Sequence, residues 1–256
     1  MLTVEHLSKS YGDFIAVQDV SFTLHSGELV ALIGPNGAGK STCFNMLNGQ
    51  LKPTRGKILL RDRDITQSSP ASIWRQGVGR TFQITATFRT MTVRENVQMA
   101  LISHHRGLNA LWSYATRQHT LRANELLAMV GMHEQAERAC GILAYGDLKR
   151  LELAIALAND PALLLMDEPT AGMGPVERDE MMALTTRIVS ENGIAVLFTA
   201  HDMEAVFGYA HRVMVMARGE LIAEGRPEQV RDDPQVKAVY LGSGITYGEG
   251  GDAAGS

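Results

Sequence analysis

A glycine-rich segment near the start of the chain has the residue types and spacing of a phosphate-binding loop. The segment runs Gly34, Pro35, Asn36, Gly37, Ala38, Gly39, Lys40, Ser41 and Thr42. Its pattern, G-x-x-x-x-G-K-[ST], lets consecutive backbone N–H groups turn inward around an anion, and the N-terminus of a following helix adds its dipole. Lys40 supplies a cation for the β- and γ-phosphates, and the Ser41 hydroxyl is a hard oxygen ligand for Mg²⁺. The segment therefore predicts a nucleotide site.

Two adjacent carboxylates, Asp167 and Glu168, follow the apolar run Leu163 to Met166. Ligands of open α/β sheets bind at the carboxyl ends of the strands, so these acids are expected to face the bound phosphates. Asp167 is the expected outer partner of the metal ion. Glu168 is placed to polarise a water molecule for in-line attack on the γ-phosphate.

The elements that must position these residues form an α/β pattern. Leu29 to Ile33 is apolar throughout, as in a strand buried on both faces of a parallel sheet, and a helical run begins at Lys40. Residues 162–166 and 194–199 are further buried strands, separated by a helix near 176–191. Together they predict a sheet whose strand ends carry the loop and the two acids.

Three other regions surround this α/β core. Apolar residues alternate with a period of two before Gly27, which favours short strands with one buried face. A mostly helical insert is predicted between about 86 and 150. We predict one domain over residues 1–241 and a flexible, glycine-rich tail over 242–256.

Composition narrows the class of protein further. The chain has 256 residues, of which 45% are hydrophobic and 20% charged, and these values exclude disorder of the whole chain. A net charge of −4 disfavours tight, sequence-independent nucleic-acid binding. Two cysteines make no disulfide framework, and neither a signal peptide nor a membrane span is expected from the apolar runs.

These motifs together resemble the ATP-binding subunits of ABC transporters, over about residues 1–242. The resemblance implies a RecA-like P-loop NTPase core with an N-terminal antiparallel β subdomain and a helical insert subdomain. It also implies roles for residues outside the loop. They are Tyr11, which stacks on adenine; Gln83, which senses the γ-phosphate and Mg²⁺ and contacts the membrane subunits; His201, the switch histidine; and the interface loop Ala171 to Gly174.

The segment Leu143 to Asp147 (L-A-Y-G-D) lies where the family signature L-S-G-G-Q belongs. In the family this turn meets the nucleotide of the opposing subunit, and here Gly146 and neighbouring N–H groups are expected to do so. Ala144 replaces the serine and Asp147 the glutamine, while Gly174 replaces the usual Asp or Asn of the interface loop. We expect Asp147 to cap a helix that begins at residue 148.

The resemblance implies Mg²⁺-dependent ATP hydrolysis by two cassettes that close on ATP. Lys40, Glu168 and His201 would be catalytic, and Ser41, Gln83 and Asp167 would serve the metal. The implied partners are a second ATPase subunit, two membrane permease subunits and, indirectly, a solute-binding protein, with no nucleic acid. The implied location is cytoplasmic, peripheral on the inner face of the cell membrane.

The subfamily motifs G-R-T-F-Q at 79–83 and T-V-R-E-N-V at 92–97 look like those of ATPases for branched-chain amino-acid uptake. Two alternatives stay open within the same class: an ATPase for urea or other amino acids, and one for lipid or lipopolysaccharide export. A third, from another class, is an ABC ATPase that acts on nucleic acid.

Overall fold

The computed structural model describes residues 1–81, 87–104 and 119–241. Its strands are β1 Leu2–Tyr11, β2 Phe14–Leu24, β3 Leu29–Ile33, β4 Arg55–Leu60, β5 Arg63–Asp64, β6 Val78–Thr81, β7 Leu163–Asp167, β8 Ala195–Thr199, β9 Arg212–Ala217 and β10 Glu220–Gly225. Its α-helices are α1 Lys40–Leu47, α2 Pro70–Arg75, α3 Val93–His104, α4 Thr120–Met129, α5 Tyr145–Ala156, α6 Pro175–Asn192, α7 Met203–Tyr209, α8 Pro227–Asp232 and α9 Pro234–Leu241.

The N-terminal strands form a four-stranded antiparallel sheet in the order β2-β1-β4-β5. Its apolar residues alternate, as predicted: Val20, Phe22 and Leu24 of β2 are buried, and the residues between them are exposed. One face of this sheet therefore packs inward, against β3 and α1.

The second sheet has six strands in the order β10-β9-β3-β8-β7-β6. Neighbouring strands from β9 to β6 run parallel, and β10 pairs antiparallel with β9. All five residues of β3 are buried. Leu29, Ala31 and Ile33 face a core shared with α5 and α6, whereas Val30 and Leu32 face the N-terminal sheet. This double burial explains why the run is continuously apolar.

The register of the parallel strands brings three chain segments to one edge. Leu32 of β3 lies beside Thr199 of β8, and Asp167 of β7 lies on the other side of Thr199. The loops that follow β3, β7 and β8 therefore begin next to one another. This edge of the sheet carries the candidate site.

Helices α3, α4 and α5 lie between β6 and β7 in the chain and contact one another through buried apolar residues such as Val97, Leu126 and Leu151. The sequence predicts helix over 94–132; α3 and α4 occupy the two ends of that range, and its middle lies outside the described residues. The predicted tail, 242–256, also lies outside them. Across the three described ranges, no helix has both the length and the apolar character needed to cross a bilayer.

Candidate nucleotide-binding site

The phosphate loop joins β3 to α1 in a conformation that two of its glycines make possible. Gly34 has φ +151°, and a Cβ there would lie 2.1 Å from the carbonyl oxygen of Met216. Gly39, the N-cap of α1, has φ +102°, and a Cβ there would lie 2.5 Å from the carbonyl oxygen of Ala16. Because a side chain at either position would collide with backbone, the loop can pass this closely to β2 and β9 only with glycine there.

Lys40, the first residue of α1, is 8% exposed. Its Nζ donates hydrogen bonds to the carbonyl oxygens of Gly34, at 2.6 Å, and Pro35, at 3.0 Å. Burial lowers the pKa of this ammonium group, and the negative charges of Glu168 and Asp167 oppose that shift. The loop thus holds the lysine head group beside the site's two carboxylates.

Thr199 joins the two carboxylate residues from the neighbouring strand. Its Oγ1 donates to Asp167 Oδ1 at 2.7 Å and accepts the Glu168 backbone N–H at 3.0 Å. Arg80 Nη2 lies 3.7 Å from the other oxygen of Asp167, Oδ2. The sequence motifs assigned no role to Thr199, or to Arg80 within G-R-T-F-Q, because the contacts of these residues with Asp167 depend on strand pairing.

Glu168 and His201 meet beyond the ends of β7 and β8. His201 Nε2 lies 3.0 Å from Glu168 Oε1. Glu168 has a left-handed backbone, with φ +49°, which turns the chain sharply after Asp167. The structure therefore brings together two side chains that are 33 residues apart in the chain, and both of them line the same cleft.

A cleft of about 280 Å³ contains these groups. Its lining comprises Phe14, Ala16, Asn36, Gly37, Ala38, Gly39, Lys40, Ser41, Thr42, Asp167, Glu168, Thr199 and His201. The aromatic residue on its wall is Phe14, which is 66% exposed, whereas the ring of Tyr11 lies under Lys9 Nζ at 5.2 Å. The sequence motifs did not indicate Phe14. The feature that could have indicated it is an aromatic residue in the same hairpin as Tyr11. Gln83 lies outside the described residues.

The oxygen groups in this cleft fit Mg²⁺ only together with phosphate. Ser41 and Asp167 offer a hydroxyl and a carboxylate. Among residues 1–81, 87–104 and 119–241, no cluster of three or more His, Cys, Asp or Glu side chains could hold a metal alone. Mg²⁺ typically takes one or two protein oxygens and completes its shell with water and substrate phosphates.

The turn at 143–147 differs from expectation. Helix α5 begins at Tyr145, with Ala144 as its N-cap and no side-chain cap hydrogen bond. Asp147 is therefore already inside the first turn, and the prediction that it caps a helix beginning at 148 is wrong. Its carboxylate interacts with the helix dipole instead. Gly146 lines a second cleft with Asp147 and Glu177, separate from the one around Lys40.

A P-loop cleft at the carboxyl edge of a parallel sheet, beside a separate antiparallel sheet, defines a nucleotide-binding protein. A sequence model described as "ABC transporter" matches residues 17–171. A second, described as "Branched-chain amino acid ATP-binding cassette transporter", matches residues 220–245. The chain belongs to the ABC transporter family, as an ATP-binding cassette, and the predicted family and ATPase activity are confirmed.

Two curated relatives that are similar in sequence to this chain have different transport functions. The chain is 40% identical over 252 residues to the high-affinity branched-chain amino acid transport ATP-binding protein LivG of Escherichia coli K12, covering 94% of this chain and 98% of LivG. It is 36% identical over 242 residues to the lipopolysaccharide export system ATP-binding protein LptB of Haemophilus influenzae, covering 94% and 97%.

Solved structures confirm the predicted α/β cassette fold. The ADP conformation of MJ1267, an ATP-binding cassette of an ABC transporter, matches with a TM-score of 0.83 and 29% identity, covering 94% of this chain and 98% of that one. A dimeric post-hydrolysis cassette, MJ0796 bound to ADP and Pi, matches with a TM-score of 0.74 and 27% identity, covering 89% and 99%.

Proposed function

We propose that this chain is the ATPase subunit that powers import of branched-chain amino acids through an ABC transporter. The observation that carries the proposal is the 40% identity to LivG, which extends over 94% of this chain and 98% of LivG. The match of residues 220–245 to the branched-chain amino-acid model supports it from a different part of the chain.

Lipopolysaccharide export is the second candidate, because LptB matches over the same share of the chain at 36% identity. The C-terminal match favours the amino-acid assignment over it. The acidic net charge argues against an ATPase that acts on nucleic acid.

The proposed reaction begins with ATP held by the loop N–H groups and by Lys40, whose charge offsets that of the γ-phosphate. Ser41 and Asp167 would hold Mg²⁺, which would offset phosphate charge when bound. A metal-serving role is also proposed for Gln83. Glu168 takes a proton from water as the water oxygen bonds to the γ-phosphorus. The bond from that phosphorus to the β–γ bridging oxygen breaks, and ADP leaves.

His201 is proposed to hold the Glu168 carboxylate toward the attacking water, since the two side chains lie 3.0 Å apart. Phe14 or Tyr11 is proposed to contact the adenine. Gly146 lines a different cleft from Lys40 within one chain, so it is proposed to meet the nucleotide of a second cassette. The dimeric relative bound to ADP and Pi supports such a pairing.

The proposed assembly contains two cassettes on the inner face of the cell membrane, two permease subunits, and a solute-binding protein that acts through the permeases. Deletion of the gene, with ATP-driven uptake of labelled leucine and urea measured in whole cells, tests the solute. Loss of leucine uptake, restored by the wild-type chain but not by a Lys40→Ala chain, is the expected result. Normal leucine uptake with failed lipopolysaccharide export would favour the second candidate.

A further inference from the structure

Tyr145 connects the first turn of α5 to the loop that leaves Glu168. Its hydroxyl donates a hydrogen bond of 2.9 Å to the carbonyl oxygen of Ala171. Its ring faces Gly172, where a Cβ would lie 3.5 Å from the ring carbon Cε1. Lys149 Nζ lies over the same ring, 5.6 Å from its centroid. The side chain is therefore held in place by contacts from both its own helix and the loop.

From Ala171 the contacts continue to the nucleotide cleft. The Ala171 N–H donates to the carbonyl oxygen of Glu168 at 3.1 Å, and the Glu168 carboxylate meets His201. The Tyr145 hydroxyl thus links the turn at 143–147 to Ala171, whose N–H in turn bonds the Glu168 carbonyl. The L-S-G-G-Q pattern has glycine at this position, and glycine offers no hydroxyl to make the link.

A second connection between the same elements is of a different kind. Arg150 pairs with Glu180 at 2.7 Å, which joins α5 to α6 beyond the loop. The Glu180 side chain is 56% exposed, so the pair is screened by solvent and contributes little. The Tyr145 hydroxyl, in contrast, bonds the backbone of the loop itself.

We propose that Tyr145 is a positioning residue that couples the two nucleotide sites of the dimer. Contact of the turn at 143–147 with the partner's nucleotide fixes Tyr145, and Tyr145 fixes the loop that sets Glu168 for hydrolysis in its own chain. This inference rests on the proposed function, because that function places the turn against a second cassette's nucleotide.

The substitution Tyr145→Phe keeps the ring and removes only the hydroxyl. Tyr209→Phe is the matched control, because the Tyr209 hydroxyl also donates to a backbone carbonyl, that of Asp179 on α6, at 3.2 Å. We expect Tyr145→Phe to lower kcat for ATP by about 2- to 10-fold, the range for one neutral hydrogen bond. The KM for ATP and the melting temperature should match those of Tyr209→Phe, because the hydroxyl contacts neither the nucleotide cleft nor the core.

Hydrogen exchange gives a readout that requires no turnover. At protein concentrations where the chain is monomeric by light scattering, a non-hydrolysable ATP analogue with Mg²⁺ should slow amide exchange in residues 143–148 of the wild type and of Tyr209→Phe. The same analogue should leave these amides unchanged in Tyr145→Phe. The change reports transmission from the cleft to the turn, which a purely local structural role for the hydroxyl would not alter.

Equal kcat values and equal exchange for Tyr145→Phe and Tyr209→Phe would overturn the inference, and so would a rise in KM at constant kcat. Failure of the proposed function has a different signature. If the wild-type chain binds no ATP analogue, the proposed ATPase function is refuted before any variant is compared. If leucine uptake is normal in the deletion strain, the proposed solute is refuted, but the test of Tyr145 remains valid.

Discussion

Replacing Thr199 with valine tests whether one hydroxyl holds the acidic edge of the site together. Valine has nearly the same shape, and Thr199 is 2% exposed, so packing should be preserved. The change removes the 2.7 Å bond to Asp167 Oδ1 and deprives the Glu168 N–H of its 3.0 Å acceptor. Both lost hydrogen bonds involve residues that line the nucleotide cleft, Asp167 and Glu168.

The expected magnitude follows from these two bonds. A hydrogen bond to a charged group contributes about 1.5 to 3 kcal/mol, and leaving a buried donor without an acceptor costs about 1 to 3 kcal/mol. The Asp167 side chain is 16% exposed, so water can replace the lost hydroxyl. The cost of losing this hydrogen bond therefore lies near the lower value, about 1.5 kcal/mol. We expect the free energy of unfolding to fall by about 2.5 to 4.5 kcal/mol, together with a loss of MgATP turnover.

Thr185→Val is the matched control. Thr185 is 1% exposed, its hydroxyl donates to the Met181 carbonyl within α6 at 2.8 Å, and it does not line the nucleotide cleft. Its substitution should cost no more than about 1 kcal/mol and leave turnover unchanged. Urea denaturation followed by circular dichroism gives the free energy of unfolding of each variant, with the midpoints compared at equal m. If the two variants lose the same stability, the Thr199 hydroxyl does not organise the edge, and the reasoning fails.

Three further predictions concern the loop, the proposed base and the corrected helix start. Lys40→Ala should lower ATP turnover by roughly 10²-fold or more while the circular dichroism spectrum stays unchanged; normal turnover would remove Lys40 from the site. Glu168→Gln should bind ATP without hydrolysing it and should accumulate as a dimer, which size-exclusion chromatography with ATP and Mg²⁺ detects; a monomer with bound ATP would point to a different cassette as partner. Asp147→Ala should lower the free energy of unfolding by only about 0.3 to 1 kcal/mol, because the carboxylate meets the helix dipole and caps nothing; a loss well above 1 kcal/mol in thermal or urea melts would contradict the observed start of α5.

Much of the site was predictable because its central residues lie in short contiguous patterns next to strong strand signals. The loop ending at Ser41 follows a continuously apolar strand, and Asp167 and Glu168 follow another. Parallel strands place their carboxyl ends at one edge, so the meeting of these segments follows from the sequence pattern alone.

The remaining features depend on partners distant in sequence. Thr199 matters because the register places it between Leu32 and Asp167, and no local pattern fixes a register between strands so far apart. Phe14 reaches the cleft wall through the hairpin geometry of β1 and β2. The start of α5 was misjudged because aspartate is a strong local capping signal, whereas the helix actually begins at Tyr145, whose hydroxyl bonds the Ala171 carbonyl.

At position 168, the residue that best suits the left-handed backbone differs from the residue that ATP hydrolysis requires. A residue with a full side chain at φ +49° is strained by about 1 kcal/mol or more, and asparagine or glycine adopts this conformation with less strain. A library at position 168 selected only for survival at high temperature should therefore drift toward asparagine or glycine. A glutamate should persist only where each generation must also hydrolyse ATP, so its retention in a lineage would be a record of selection for activity.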